Sequence, residues 1–346
     1  MSRDTLSELL RAVRLRGAIY YYVDGHAPWV AEAPNAREIV DAIIPGAEHL
    51  IEYHVVTRGA CWGAIAGEPS VRLEQGDVIM FPQGDAHVMS SAPGMRVPVV
   101  DRSAYFSPKP PQLPYVLAQR GSETEMRDEV RTTVMLDGGG EPTTLVCGFL
   151  GCDARPFNPL LASLPRLLHV KGAANDAGWN ERFIALAVDE ANRKRPGGEA
   201  VLERLSELMF VEVVRRYLDS LPTEQTGWLS GLRDRYVGRA LSLLHERPAH
   251  RWTIDELTHA VGLSRSALHE RFTALVGQAP MQYLTQWRMQ VASKLLSESM
   301  LNMAAVALES GYESEAAFSR AFKRFVGVPP ATWRRERAAA SKRTIG

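Results

Sequence analysis

The chain has 346 residues, 45% of them hydrophobic, and its 40 Lys and Arg balance 40 Asp and Glu. This length exceeds one typical domain and the apolar content suffices for real cores, so two domains are expected and a chain without a core is excluded. Three cysteines, Cys61, Cys147 and Cys152, cannot pair evenly, so no disulfide framework is expected.

At the start of the chain, Leu6, Leu9, Leu10 and Val13 mark an amphipathic helix interrupted by Arg11 and Arg14. It is too short and too charged for a signal peptide or a membrane span, so a cytoplasmic protein without a membrane partner is expected. From Ile19 to about Phe149 the periodicity becomes that of strands: IYYYV, LIEYHVV, CWGAIA, VIMF and TTLVCGF are separated by Gly, Pro and Asp. Within GDVIMFPQGDAHVMSS, Gly76 and Asp77 turn the chain into a strand, Pro82 and Gly84 form the next turn, and His87 opens the following strand.

The spacing Gly76, Pro82, Gly84, His87 resembles the second motif of the cupins, double-sheet β folds with an internal pocket. Many cupins hold a metal with two His and a Glu of a first motif plus this second-motif His. Here EYHVVTRGACWGAI stands where the first motif belongs, with His54 alone on its strand. One His cannot make a three-ligand open site, so neither a metal nor another cofactor is expected. His54, His87, Cys61 and Cys147 remain as a residual set that can converge in one barrel as soft metal ligands or oxidisable thiols, although buried Cys and His in strands are more often core residues.

Between Gly94 and Gly140, five prolines (98, 108, 110, 111 and 114) and a charged run interrupt any periodicity. This reads as an ordered insertion or surface loop, or as a lid over a barrel mouth. Two helices follow. The first runs from about Asn180 to Arg193 with Phe183, Leu186 and Ala187 on one side; the second runs from Glu199 to Leu218 with Val201, Leu205, Leu208, Met209 and Val213 in a stripe. Such a hairpin packs on a barrel or pairs with its mate in a C2 dimer. A linker fits between Leu221 and Gly227.

From Trp228 onward the balance is 17 Lys and Arg against 10 Asp and Glu, while the preceding residues hold 23 against 30. The neutral total thus hides a basic C-terminal part, suited to attracting phosphate. Trp228 to Glu246 reads as its opening helix, with Val237, Leu241 and Leu244 inward. One unit then occurs twice, fifty residues apart: Ser264 aligns with Ser314, Ala267 with Ala317, Phe272 with Phe322, Gly277 with Gly327 and Pro280 with Pro330. In the first copy, Thr253 and Glu256 form a capping box, Gly262 closes a short helix, and Ser264 caps a second one with Leu268, Phe272 and Leu275 inward. In the second copy, Asn302 caps a helix through Glu309, Gly311 turns the chain, and Ser314 caps a helix with Phe318, Phe322 and Phe325 inward. A helix from Met281 to about Ser297, about 25 Å long, joins the copies and can hold both second helices on one face of DNA.

Residues Trp252 to Arg335, with GYESEAAFSRAFKRFVGVPPATWR from Gly311 to Arg334, resemble the double helix-turn-helix domain of the AraC/XylS family of bacterial transcription regulators. NPLLASLPRLLHV, after Cys152, is similar to the joint between sensor and helices in one subgroup of that family. The resemblance implies an α+β multidomain chain: a cupin-like β-barrel for sensing a ligand (1–175), a helical hairpin for dimerisation (176–221) and an all-α double helix-turn-helix (228–338). It implies a non-enzymatic transcription regulator, an activator or a repressor, whose partners are promoter DNA, a small-molecule effector, a second copy in a homodimer, and RNA polymerase. Carried over position by position, the DNA-facing residues are Arg265, Ser266, His269 and Glu270 on the first recognition helix, and Glu315, Ala316, Ser319 and Arg320 on the second. Lys323 and Arg324 are suited to phosphate, or lie on a solvated face. His54, Trp62 and His87 are the expected effector contacts. The alternative is a metal- or thiol-dependent cupin, an enzyme or a sensor, that the C-terminal part tethers to DNA.

Overall fold

The computed structural model describes residues 4–97, 115–120, 123–127, 134–135, 139–172, 179–193, 195–222 and 224–343. Packing divides the chain into two units that are not contiguous in sequence. One comprises residues 16–151 and 164–219, the other residues 1–15, 152–163 and 220–346.

The first unit is built of strands β1 (Arg16–His26), β2 (Val30–Ala33), β3 (His49–Arg58), β4 (Ala60–Ile65), β5 (Val71–Glu74), β6 (Val78–Phe81), β7 (His87–Ser90), β8 (Tyr115–Arg120), β9 (Glu123–Arg127), β10 (Val134–Met135), β11 (Pro142–Cys152) and β12 (Leu168–Val170). They form a seven-stranded sheet in the order β12-β6-β3-β11-β1-β8-β9 and a five-stranded sheet in the order β10-β2-β7-β4-β5. This is the cupin-like arrangement of two sheets, without closure into a single barrel among the described residues. Period-two alternation explains the core between the sheets. Leu50 and Val56 of β3, Cys61 and Ile65 of β4, Met89 of β7 and Leu145, Cys147 and Phe149 of β11 all point into it.

Of the stretch from Gly94 to Gly140, the described parts β8 and β9 extend the edge of the larger sheet, and β10 pairs with β2. The rest of that stretch, with its five prolines, lies outside the described residues. Among these strands lies a short helix, Val40–Ile43, which places Ile43 in the core.

Two long helices complete this unit, Trp179–Arg193 and Gly198–Ser220. The second is tied to the outer face of β3, where Tyr53 Oη and Ser206 Oγ share a hydrogen bond of 2.7 Å. Its buried face is Leu202, Leu205, Met209, Phe210 and Val213. Three members of the expected apolar stripes point outward instead: Leu186 is 46% exposed, Val201 38% and Leu208 51%. They lie on the flank of the buried stripe, since residues seven apart on a helix, such as Val201 and Leu208, share a face.

The second unit is helical. Helix Thr5–Ala12, capped by Asp4, buries Leu6, Leu9 and Ala12. It is held to the helix Pro280–Glu298 by Gln290, whose Nε2 donates to Ala12 O (2.9 Å) while its Oε1 accepts from Phe157 N (3.1 Å). Arg14 and Asp153 add a two-pronged ion pair at 2.6 Å. The single opening helix expected from Trp228 to Glu246 is two helices, Trp228–Arg233 and Arg235–Glu246. Asp234 breaks it, because its carboxylate accepts from Tyr236 N and Val237 N and so caps the second piece. Val237, Leu241 and Leu244 are fully buried, as expected.

The two copies follow as Ile254–Val261 with Arg265–Val276, and Met303–Glu309 with Glu315–Val326. Thr253 caps through Glu256 N (3.2 Å), but the Glu256 carboxylate takes His250 Nε2 (2.6 Å). Gly277 and Gly327 end the two second helices at φ +82° and +91°, a left-handed turn that disfavours a side chain. Phe318 and Phe322 are buried, Phe322 against Trp333 of the last helix, Pro330–Arg343, whereas Phe325, one residue before its helix ends at Val326, is 37% exposed.

Candidate functional site

Two places bear on function, one in each unit. In the sheet unit a cavity of about 590 Å³, counted with its open mouth, is walled by Val23, Trp29, Ala31, Ala33, Met89, Leu145 and Phe149, with Glu32, Glu52, His54, His87, Cys147 and Gly148 completing the lining. Glu52 and His54 are two apart on β3 and therefore share its inner face. His87 is placed by the turn before β7 and by stacking on Phe81, ring centres 3.9 Å apart. Gly84 in that turn has φ +70°, and a Cβ there would lie 2.7 Å from Ala36 Cβ, which is why the motif has glycine at this point.

The polar groups form a chain whose protons are fixed by its anchored end. His87 Nδ1 lies 3.1 Å from the Asp85 carbonyl oxygen and must donate to it, so its Nε2 accepts. His54 Nε2, at 2.7 Å, is then the donor to His87, and His54 Nδ1 accepts from the Cys147 thiol at 2.8 Å. Burial enforces the same neutral state: it lowers His87 to about 4, holds His54 well below the usual imidazole range, and raises the Cys147 thiol. Glu52 stands beside this chain. Its Oε2 is 3.7 Å from His87 Nε2, too far for a hydrogen bond, and burial lifts the carboxyl to about 8, so it is a carboxylic acid at neutral pH. Glu32, by contrast, is paired through both oxygens with Arg96.

His54, His87 and Cys147 thus come together as the sequence suggests. Cys61 is buried in the same core but is not part of the cavity wall, and all three cysteines are free thiols. Trp62 is not part of the wall either: Cys61 and Gly63 take the inward positions of β4, leaving Trp62 on the opposite face beside Arg72 and Ser90. The two imidazoles and the thiol point at one another along a line rather than at a common centre, and no group of three or more His, Cys, Asp or Glu among the described residues is arranged to hold a metal ion. Glu52 escaped the sequence reading. Its signal is the E-x-H spacing, which places a carboxyl beside His54.

In the helical unit, Arg265, Ser266, His269 and Glu270 are exposed on the first recognition helix. Glu315, Ala316, Arg320, Lys323 and Arg324 are exposed on the second, with Ser319 half-buried. Arg265 is forked onto Asp255, and Arg271 onto Asp234 at 2.5 Å. Arg320, Lys323 and Arg324 have no ion pair among the described residues.

Residues 4–219 match the family described as Cupin, and residues 257–336 the one described as Helix-turn-helix domain. A protein of Streptomyces lividans, assigned to the AraC-like transcription regulators, is 31% identical over 291 residues, which cover 84% of this chain and 88% of the relative. The chain belongs to the AraC-like transcription regulators. This AraC-type regulator is also 26% identical over 336 residues to the transcriptional regulator AlkR of Acinetobacter baylyi, covering 96% of this chain and 99% of that one. The DNA-binding domain of AdpA, solved in complex with a target DNA, is similar with 28% identity and a TM-score of 0.30 over 33% of this chain and 99% of that one. The AraC-type regulator is therefore a DNA-binding transcription factor with a cupin-like N-terminal domain, and none of its described helices is long and apolar enough to cross a membrane.

Proposed function

We propose that this AraC-type regulator answers a small-molecule effector held in the cavity of its sheet unit, and that it acts as a homodimer, activating transcription through RNA polymerase. The observation that carries the effector reading is the cavity itself: an open, mostly apolar space with a few polar groups in its wall, the usual form of a ligand site. The homodimer reading is supported by Leu186, Val201 and Leu208, large apolar side chains left outside on the helical hairpin. Activation and RNA polymerase contact rest on family membership alone.

Base reading is assigned to Arg265, Ser266, His269 and Glu270 and to Glu315, Ala316, Ser319 and Arg320. Phosphate contact is assigned to Lys323 and Arg324. The effector reading is tested with Ala31→Phe, which fills the cavity from β2. Genome-wide mapping of bound sites supplies a natural promoter for a reporter. The variant should occupy the same promoters while its output no longer changes across growth conditions that modulate the wild type. Unchanged modulation in the folded variant would overturn the reading.

A further inference from the structure

The helix Pro280–Glu298 joins the two helix-turn-helix copies, yet each packs a core of its own. That of the second copy, built on Met289, Leu296, Val306, Phe318, Phe322 and Trp333, contains no residue between Trp228 and Val276 among the described residues. A single joining helix leaves the mutual angle of the copies to whatever second contact bridges them. Arg288, in the middle of that helix, supplies it. Its Nε donates to Pro248 O (2.7 Å) and its Nη2 to His250 O (2.8 Å), so the planar guanidinium fork is spent on two carbonyls of the loop that leads into the first copy. Gly311, the turn between the two helices of the second copy, packs directly on the same group. A Cβ there would lie 2.9 Å from Arg288 Cζ and Nε, and 2.9 Å from Ala249 Cα in the loop.

Both ends of this contact are anchored. His250 O also accepts from Trp252 N (2.9 Å), Trp252 Nε1 donates to Arg247 O (3.1 Å), and Thr253 then caps the first helix of the first copy, so the loop cannot shift without unseating that copy. Gly311 has φ +80° and is followed by Tyr312, whose ring centre lies 5.7 Å from that of Phe318, a core residue of the second recognition helix. Arg251 and Glu313 pair at 2.9 Å across the same seam, but both are exposed, so they add little to it. We propose that Arg288 is a positioning residue for DNA reading: it clamps the entry loop of the first copy to the turn of the second. The two recognition helices then keep one separation, and the protein accepts one spacing between the two major-groove elements of its site. One inserted base pair displaces the second element by about 3.4 Å and turns it by about 35°, which a clamped pair cannot follow. This inference rests on the assignment of base reading to both recognition helices and adds the residue that sets their spacing.

Binding isotherms of the full chain on a mapped promoter duplex, and on the same duplex with one base pair inserted between its two footprinted major grooves, test it. The wild type should bind the inserted duplex at least about tenfold more weakly. Arg288→Met keeps an aliphatic stem and loses both donors. It should bind the native duplex more weakly but narrow that ratio to about threefold or less, because a loosened pair adapts to either spacing. Asp4→Ala, which uncaps the helix Thr5–Ala12 of the same unit, should lower stability yet keep the full ratio, which separates a clamp from general loosening. Spin labels at His259→Cys and Glu309→Cys, equivalent exposed positions on the first helices of the two copies, report the angle without DNA; the three native thiols are buried. In chains diluted with unlabelled protein they should give one narrow distance, and a broad distribution once Arg288→Met is added. A full ratio retained in folded Arg288→Met, or a ratio narrowed equally by Asp4→Ala, would overturn the proposal. So would a wild type indifferent to the insertion while its label distance is narrow, which fails the base-reading assignment, whereas an unchanged label distribution in Arg288→Met fails the clamp itself.

Discussion

Ser264 and Ser314 cap the second helices of the two helix-turn-helix units alike, each accepting a backbone N–H three residues on at 3.2 Å, and Phe272 and Phe322 fill equivalent core positions. The outer faces are used differently. In the first unit Arg265 is held by Asp255 and Arg271 by Asp234, so two cations are turned inward on the protein's own acids. In the second, Arg320, Lys323 and Arg324 stand exposed without such partners among the described residues. The cores differ too. The first half buries His245, whose Nε2 shares a hydrogen bond of 2.7 Å with Tyr283 Oη and whose ring stacks on Trp287; the second half buries no histidine or acid among the described residues. The two copies share a frame but not a charge pattern, so on the proposed reading most of the electrostatic attraction to DNA falls to the second helix-turn-helix copy.

The contrast is broken or sharpened first at Arg320. If this guanidinium grips guanine, Arg320→Ala should cost about 1–3 kcal/mol on a cognate site and much less on a scrambled duplex, whereas Lys323→Ala should weaken both alike and lower the salt slope by about one unit. Binding isotherms on the two duplexes at three salt concentrations decide it. Equal losses on both duplexes for Arg320→Ala would leave it a phosphate clamp.

Acidification should reveal the buried histidine of the first half. Burial lowers His245 to about 3, so below pH 6.5 the unfolded chain takes up a proton that the folded one refuses, and stability falls. Relative to His245→Phe, the wild type should lose roughly 2 kcal/mol of unfolding free energy between pH 7.5 and pH 5, read from urea melts. A constant difference would show that the imidazole is not kept neutral.

The shared frame predicts equality at the caps. Ser264→Ala and Ser314→Ala should each destabilise the helical unit by about 1 kcal/mol, measured by chemical denaturation. The smallest effect belongs to the first recognition helix: because the exposed Arg265 pair contributes at most about 1 kcal/mol, Asp255→Asn should leave stability nearly unchanged while freeing Arg265 and strengthening DNA binding slightly. A large loss of DNA affinity in Asp255→Asn would mean that the ion pair positions Arg265 for a base.

What was legible in the sequence was local. Ser, Gly and Pro at repeated spacings define the helix ends, and alternation on β3, β4 and β11 brings His54 and Cys147 to one interior. The failures have local causes as well. Asp234 offered the backbone a cap inside a run whose apolar spacing looked continuous. Phe325 fell on the inward spacing, but its helix ends one residue later, at Val326. Trp62 is aromatic and lies on a core strand, but Cys61 beside it takes the inward position, so the alternation of β4 turns Trp62 to the other face. Glu52 was hidden because a carboxyl in a strand normally faces water, and only the cavity shows why this one does not. Nothing in LSELLRA told which unit would claim it, since its partner Gln290 lies 278 residues downstream of Ala12.

That last separation has a consequence for synthesis. The helix Thr5–Ala12 leaves the ribosome before every other described helix, yet the carboxamide that holds it follows 278 residues after Ala12. At about 5–20 residues per second, Leu6 and Leu9 wait some tens of seconds for the surface that covers them. The sheet unit can assemble during that interval, but the helical unit is completed only when the helix Thr5–Ala12 meets the helix Pro280–Glu298. A nascent chain that stops short of Gln290 therefore presents a finished sheet unit and an unfinished helical one.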